Sequence, residues 1–332
     1  MNKVRTPMIL SIALIILGIV LLLAGGETLL RGAVGLATLL RLTPAVIGLT
    51  VVAAGTSVPE LAVSATAALQ GKTDIAVANV VGSNIFNITV ILGLCAVICP
   101  LAITGNTIKL EYPVLAVVTL LCVVVAQDGW IGRLDAALFL CIYVAFTLYL
   151  VALVRKQVSA SEARELTTEV NELTPAVSAV PRPRAWICLA LVGAGAALLG
   201  GGAHSTVTGA VQLARLLGWS ERMIGLTIVS IGTGLPEVAA SLVSSVRERG
   251  DVAIGNVIGS NLFNILAILG LAGLSSPLPV QPALVSSDCW WMLGVTLLLF
   301  PLIFTGRQVM RWEGALMLAA YVAYLSLLLR ST

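Results

Sequence analysis

Charge is what this 332-residue chain has least of. Asp, Glu, Lys and Arg make up 11% of it, against 58% hydrophobic residues and a mean hydropathy of +1.04. Soluble domains carry about 25% charged residues, so this chain has too little polar surface to face water. The net charge of +3 is too small to argue for nucleic acid or another acidic partner. There is one histidine, His204, and no second imidazole, nucleophile or metal triad beside it, which argues against an enzyme. The six cysteines (Cys95, Cys99, Cys122, Cys141, Cys188 and Cys289) lie in or beside apolar stretches without metal-ligand spacing, and read as small buried hydrophobes. The alternating ten-residue segments of a membrane barrel are missing. No A-x-A cleavage site follows the apolar run Met8–Leu23, so that run reads as a first membrane helix and not a signal peptide.

What the chain has is apolar runs long enough to cross about 30 Å of hydrocarbon. The pattern predicts an all-α polytopic membrane protein with about ten helices, at 8–40, 44–70, 75–99, 107–127, 130–154, 185–217, 221–247, 252–276, 282–304 and 310–330. An even count puts both termini on one side, and the lipid bilayer is the expected surrounding. The polar stretch 155–184 reads as a linker between a first five-helix unit (1–154) and a second (185–332), with Ser159 and Glu162 placed to cap a short surface helix and Pro181 and Pro183 closing it. Lys3, Arg5, Lys72, Arg133, Arg215, Arg222 and Arg330 gather on one face. The opposite face collects the larger basic set, including Arg155, Lys156, Arg182 and Arg184, so the expected orientation is a cytoplasmic linker and external termini.

The two units are copies. A shift of 177 residues lays Gly48-Leu49-Thr50 on Gly225-Leu226-Thr227, Pro59-Glu60 on Pro236-Glu237, Asp74 on Asp251, and Gly82-Ser83-Asn84 on Gly259-Ser260-Asn261. About half the positions from Gly48 to Cys95 are identical to their partners. Five helices per copy is an odd number, so the second copy is inverted in the membrane, as in secondary transporters.

Each copy carries one segment that lipid should forbid: Gly55-Thr56-Ser57-Val58-Pro59-Glu60 and Gly232-Thr233-Gly234-Leu235-Pro236-Glu237. Proline cannot donate to the carbonyl four residues back, and a carboxylate at mid-membrane depth costs about 3 kcal/mol. Inversion brings the two broken helices together near the midplane. Two bidentate glutamates and one freed carbonyl from each copy offer six oxygens, within the about six to eight that a hard cation such as Ca²⁺ takes. When that ion leaves, Glu60 and Glu237 face each other and demand other cations or protons. The next helix adds Asn79, Ser83 and Asn87 on one face, repeated as Asn256, Ser260 and Asn264. Asn79 and Asn256 read as interhelical glue; Ser83, Asn87, Ser260 and Asn264 read as site. Glu27 and Arg31 form an i,i+4 pair, and the partner of Glu27 in the second copy is His204, which breaks the symmetry. Asp74, Asp128, Asp135, Asp251 and Glu313 fall at loops or helix starts, and Tyr143, Tyr321, Trp290 and Trp291 suit packing or interfacial anchoring.

With GTSVPE (55–60) and GSNIFN (82–87) in the first copy, and GTGLPE (232–237) and GSNLFN (259–264) in the second, the chain resembles the calcium/cation antiporter superfamily, specifically short prokaryotic members of the sodium/calcium exchanger family. The resemblance implies ten helices in two inverted halves, the first and sixth long, tilted and sliding past a rigid core. It implies that Glu60 and Glu237 bind Ca²⁺ and share Na⁺, with backbone oxygens near Thr56 and Thr233 completing the calcium site. It further implies one sodium site from Thr56, Ser57, Ser83 and the Ala53 carbonyl, another from Thr233, Ser260 and the Ser230 carbonyl, and Asn87 and Asn264 lining the middle. Two positions depart from the family's pattern: Gly234 stands where serine is usual, and Asn87 and Asn264 stand where many relatives carry at least one aspartate. The expected function is export of Ca²⁺ in exchange for Na⁺ across the plasma (inner) membrane, with no cofactor beyond the transported ions. Ca²⁺/H⁺ exchange through the two glutamates is the alternative, a passive cation channel a further one. No oligomeric state follows from the sequence.

Overall fold

The computed structural model describes residues 2–39, 53–102, 106–157, 184–247, 250–306 and 308–330. The linker beyond Gln157, with Ser159, Glu162, Pro181 and Pro183, lies outside them, as does the start of the expected helix 44–70. The main helices are α1 (Asn2–Leu39), α2 (Val58–Leu69), α3 (Thr73–Phe86), α4 (Leu92–Ile98), α5 (Asn106–Val125) and α6 (Arg133–Gln157) in the first half. In the second they are α7 (Ala185–Leu217), α8 (Leu235–Val246), α9 (Gly250–Phe263), α10 (Leu269–Ser275), α11 (Cys289–Gly306) and α12 (Arg311–Arg330). Among the described residues eight helices are long and apolar enough to cross a membrane, and nine if the bent pair Glu221–Thr233 and Leu235–Val246 is one span.

Two features add to the expected helical architecture. Four π-helical turns, at Asn87–Ile91, Gly225–Val229, Asn264–Ile268 and Leu284–Asp288, interrupt helices that periodicity renders as continuous. Four two-residue strands also join the halves. β1 (Leu101–Ala102) pairs antiparallel with β4 (Gln308–Val309), and β2 (Trp130–Ile131) with β3 (Leu278–Pro279). Such short pieces carry no readable alternation. Each pairing takes one strand from each half, so every pair is the other's counterpart under the repeat.

The two segments bearing the asparagine stripe form the centre: Thr73–Ile98 is 78% and Val252–Ser275 83% buried over their most apolar stretch, against 11% for Arg133–Ala152. Gly82 is needed there, because a Cβ on it would stand 2.7 Å from the carbonyl oxygen of Leu226. Outside this core α1 and α7 run antiparallel in backbone contact. Gly18, Gly25 and Gly32 on α1, seven residues apart, meet the repeat-related Gly195, Gly202 and Gly209 region of α7, and a Cβ on Gly25 would lie 2.8 Å from the Leu199 amide nitrogen.

Several polar residues sit as read. Asp128 accepts from the Trp130 amide (2.9 Å), Asp135 from that of Gly132 (2.9 Å) and Glu313 from that of Met310 (2.7 Å), all at loops or helix starts. Glu27 and Arg31 pair at 2.8 Å. Arg222, counted in the sequence with the basic set of one face, is buried: its Nε donates to Asp288 Oδ2 (2.6 Å), while Tyr324 Oη donates to Asp288 Oδ1 (3.1 Å). The counterpart positions hold Ala45, Glu111 and Phe146, so the repeat keeps the acid but neither of its partners. Of the cysteines, all free, Cys141 is exposed on the outward-facing α6 and not buried as expected.

Candidate ion-binding site

The two anomalous segments are helix breaks. A one-turn helix, Ala53–Thr56, is followed by Ser57 in a turn and then α2; Ser230–Thr233 is followed by Gly234 and then α8. Ser57 (φ −89, ψ 9) and Gly234 (φ −76, ψ 2) share nearly one backbone geometry, in the sparsely occupied bridge region. The break therefore falls two residues before each proline. Pro59 and Pro236 sit in the first turn of the new helix, where a missing N–H costs nothing, and help start it. The second break bends the chain by 49°.

Glu60 and Glu237 follow in the first turns of α2 and α8, where the helix N-terminus favours negative charge. They are 2% and 1% exposed and close enough for their charges to act on each other. Ser57 Oγ donates to Glu237 Oε1 across the two halves at 2.7 Å. Thr56 and Ser260 also lie beside Glu237, Ser260 without a hydrogen bond to it, and Thr233 lies beside Glu60. Ala53 lies in the helical turn preceding Thr56, but the carbonyl of Ser230 already accepts from the Gly234 amide at 3.1 Å. Among the described residues no three His, Cys, Asp or Glu side chains converge, so two carboxylates make up the charge of the site.

The equality of the halves ends at Gly234. Ser57 occupies the matching place in the first half and serves Glu237; Gly234 has no hydroxyl to serve Glu60. A Cβ at 234 would stand 3.1 Å from the Ser230 carbonyl oxygen and 3.5 Å from the Phe86 ring, so there is room for a serine with a small adjustment.

Asn79 and Asn256 act as glue. Asn79 Nδ2 donates to Ser64 Oγ (3.0 Å), and Asn256 Nδ2 donates to its repeat partner Ser241 Oγ (2.9 Å). Asn84 and Asn261, matched by the repeat but one residue out of step with the stripe and given no role by the sequence, hold the two halves together. Asn84 Nδ2 donates to the Asn261 carbonyl (3.3 Å) and Asn261 Nδ2 to the Asn84 carbonyl (3.2 Å). Each then presents its Oδ1 to the facing asparagine: Asn87 Nδ2 donates to Asn261 Oδ1 (2.9 Å), and Asn264 Nδ2 to Asn84 Oδ1 (3.0 Å). The chain of donors fixes every amide. Because Asn261 spends its NH₂ on a backbone carbonyl, only its oxygen faces Asn87, which must offer its own NH₂ and turn its oxygen away. Asn87 and Asn264 each open a π-helical turn, a distortion frequent at functional sites.

The outcome is a set of buried oxygens with no hydrogen-bond partner in the protein: Glu60 Oε2, Ser83 Oγ and Asn87 Oδ1 from the first half, with Glu237 Oε2, Ser260 Oγ and Asn264 Oδ1 from the second. Each is the repeat partner of another. Buried polar atoms left unpaired cost about 1–3 kcal/mol each, so six in matched pairs imply a ligand that takes oxygens. One other buried side-chain atom among the described residues shares this state, the Tyr321 hydroxyl, whose ring packs edge-on to Phe86.

The family described as sodium/calcium exchanger protein matches residues 10–152 and 187–330 of the chain, which is most of both halves. The chain belongs to the sodium/calcium exchanger family. It is similar to the inner membrane protein YrbG of Escherichia coli, at 34% identity with 97% of both chains covered. It is also similar to the sodium/calcium exchanger MaX1 of Methanosarcina acetivorans, at 32% identity over 95% of this chain and 97% of that one. Among solved structures, the sodium-calcium exchanger NCX_Mj soaked with Na⁺ and Sr²⁺ superposes with a TM-score of 0.63 at 28% identity, covering 96% of this chain and 98% of that one. The chain is thus an integral membrane cation antiporter and not an enzyme.

Proposed function

We propose that the protein exports Ca²⁺ in exchange for Na⁺ across the inner membrane by alternating access, with its two halves inverted, its linker cytoplasmic and its termini external. The observation that carries this reading is the six unpartnered oxygens in three repeat-related pairs. They number within the coordination range of Ca²⁺, and two of them are carboxylate oxygens whose charge balances a divalent ion. Glu60 and Glu237 hold Ca²⁺ at the centre, Ser83, Ser260, Asn87 and Asn264 line it, and Thr56, Ser57 and the Ala53 carbonyl on one side, with Thr233 and the Ser230 carbonyl on the other, serve Na⁺. The sodium/calcium exchangers among its relatives support the choice of ions.

A second reading, Ca²⁺/H⁺ exchange, draws support from Gly234. Glu237 has a hydroxyl donor in Ser57, Glu60 lacks the equivalent, and one sodium site is short of an oxygen. Radio-calcium uptake into reconstituted vesicles, driven separately by a sodium gradient and by a proton gradient, separates the two. Uptake against a calcium gradient is expected with sodium; uptake driven by protons alone overturns the sodium assignment, and flux that no gradient drives uphill marks a channel. Gly234→Ser is expected to raise apparent Na⁺ affinity several-fold, since one hydrogen-bonding oxygen contributes about 0.5–1.5 kcal/mol. Sodium activation of calcium uptake measures it, and an unchanged curve shows that the hydroxyl missing at 234 is irrelevant to sodium.

A further inference from the structure

We propose that two side-chain latches close the two ends of the ion pathway in turn: Gln70 with His204, engaged in this structure, and Glu27 with Arg247, engaged in the opposite state. The proposal rests on the inverted repeat and alternating access argued above. It begins with an asymmetry in packing. α7 lies along α2, whereas α1, its repeat partner, makes no comparable contact with α8 among the described residues. Leu235 and Val243 on α8 are consequently 41% and 43% exposed, while their counterparts Val58 and Thr66 on α2 are half-buried. Since α1 and α7 touch backbone to backbone along their glycines, they move as one body, and withdrawing α7 from α2 carries α1 toward α8.

Two polar contacts fasten the engaged end. Gln70, just past the end of α2, donates from Nε2 to His204 Nδ1 on α7 at 3.1 Å, and Lys72 pairs with Glu221, which follows α7, at 2.9 Å. In the opposite state each half adopts the arrangement the other has here, so the counterparts of these residues meet. The counterpart of Gln70 is Arg247 at the end of α8, and that of His204 is Glu27 on α1. An amide and an imidazole on one side are replaced by a carboxylate and a guanidinium on the other. Complementary charge at two positions that differ from their own repeat partners gives a reason for the broken symmetry at Glu27 and His204. In this structure Glu27 bonds Arg31 within its own helix, an exposed i,i+4 pair of the weak kind, which is readily exchanged for another arginine. The counterparts of Lys72 and Glu221 are Arg249 and Pro44, which cannot pair, so the second end has the single latch.

Both latches join the two halves, and this gives the test. The double variants Gln70→Cys/His204→Cys and Glu27→Cys/Arg247→Cys are made in the full chain with a protease site inserted in the 155–184 linker. They are reconstituted in vesicles and treated with a reducible bifunctional thiol reagent, with the parent chain and its six native cysteines as control. After cleavage the fragments stay together only where a bridge has formed. Each pair is expected to bridge, each bridge to stop Ca²⁺ exchange until reduced, and the quadruple variant to carry one bridge or the other in any molecule. Failure of the 27–247 pair to bridge in a variant that still exchanges Ca²⁺ overturns the proposal, as do both bridges in one molecule. For the ion pair itself, Arg247→Glu is expected to slow exchange and Glu27→Lys in the same chain to restore it; no restoration overturns the charged latch. Loss of Ca²⁺ exchange from the parent would count against the transport reading, while the bridging pattern would still decide on the latch.

Discussion

Glu60→Gln and Glu237→Gln are each expected to abolish calcium exchange while leaving the fold intact. Either change removes half of the charge that balances a divalent ion, in a site where the remaining donors are neutral hydroxyls and amides. Removing one partner of a buried ionic contact costs about 3–5 kcal/mol, or roughly a hundred- to several-thousand-fold in affinity. The cost falls on binding, not on folding. In the calcium-free protein the two carboxylates repel each other, so a neutral amide at either position relieves strain. At position 237 the acceptor for Ser57 also survives, because Gln keeps an oxygen. Thermal denaturation in detergent separates the effects. The calcium-free midpoint should stay level or rise in both variants, and the upward shift that calcium gives the parent by binding the folded state should disappear. A variant that keeps both the shift and exchange would remove that glutamate from the site.

The pairing of these two glutamates is legible in the chain without coordinates, because a 177-residue shift superposes Pro59-Glu60 on Pro236-Glu237. Composition is equally plain about the membrane, and the i,i+4 stripe identifies Ser83, Asn87 and their partners, whose oxygens emerge as the unpartnered ones. What stays hidden depends on contact between distant parts of the chain. The break at Ser57 precedes Pro59 by two residues because proline prefers to begin the new helix over interrupting the old one, a choice that only the folded geometry makes visible. Arg222 reads as one more basic residue of its face because its partner Asp288 lies 66 residues on, and the other half keeps only an acid, Glu111, without an arginine. The π-helical turns at Asn87 and Asn264 add one residue to a turn without altering composition, so periodicity passes over them. Asn84 and Asn261 escape for a related reason: next to Ser83 and Ser260 they point off the stripe, toward a partner 177 residues away.

Those two asparagines carry the second large effect. Asn261→Leu removes the acceptor that holds the Asn87 amide, leaving its NH₂ free to turn into the site in place of its oxygen. If orientation is what Asn261 supplies, calcium affinity should fall about tenfold or more, the equivalent of about 1.4 kcal/mol. Stability should fall only modestly, since interhelical hydrogen bonds inside membranes average about 0.6 kcal/mol. Asn84→Leu should do the same through Asn264, which it holds in the same way. The decisive measurement changes the background. Asn87→Asp places an oxygen at both ends of the side chain, so a turned-over carboxylate coordinates as well as an unturned one. The added charge is common to Asn87→Asp with and without Asn261→Leu, so in that background Asn261→Leu should leave calcium affinity unchanged, read by the calcium-induced shift in melting temperature, while still costing the small stability loss. If instead affinity and stability fall together there, Asn261 is a packing residue and the orientation of Asn87 has another cause. An unchanged affinity would show that the contact between halves does two things with one set of bonds. It joins the copies, and it turns two amides so that their oxygens, rather than their hydrogens, meet the ion.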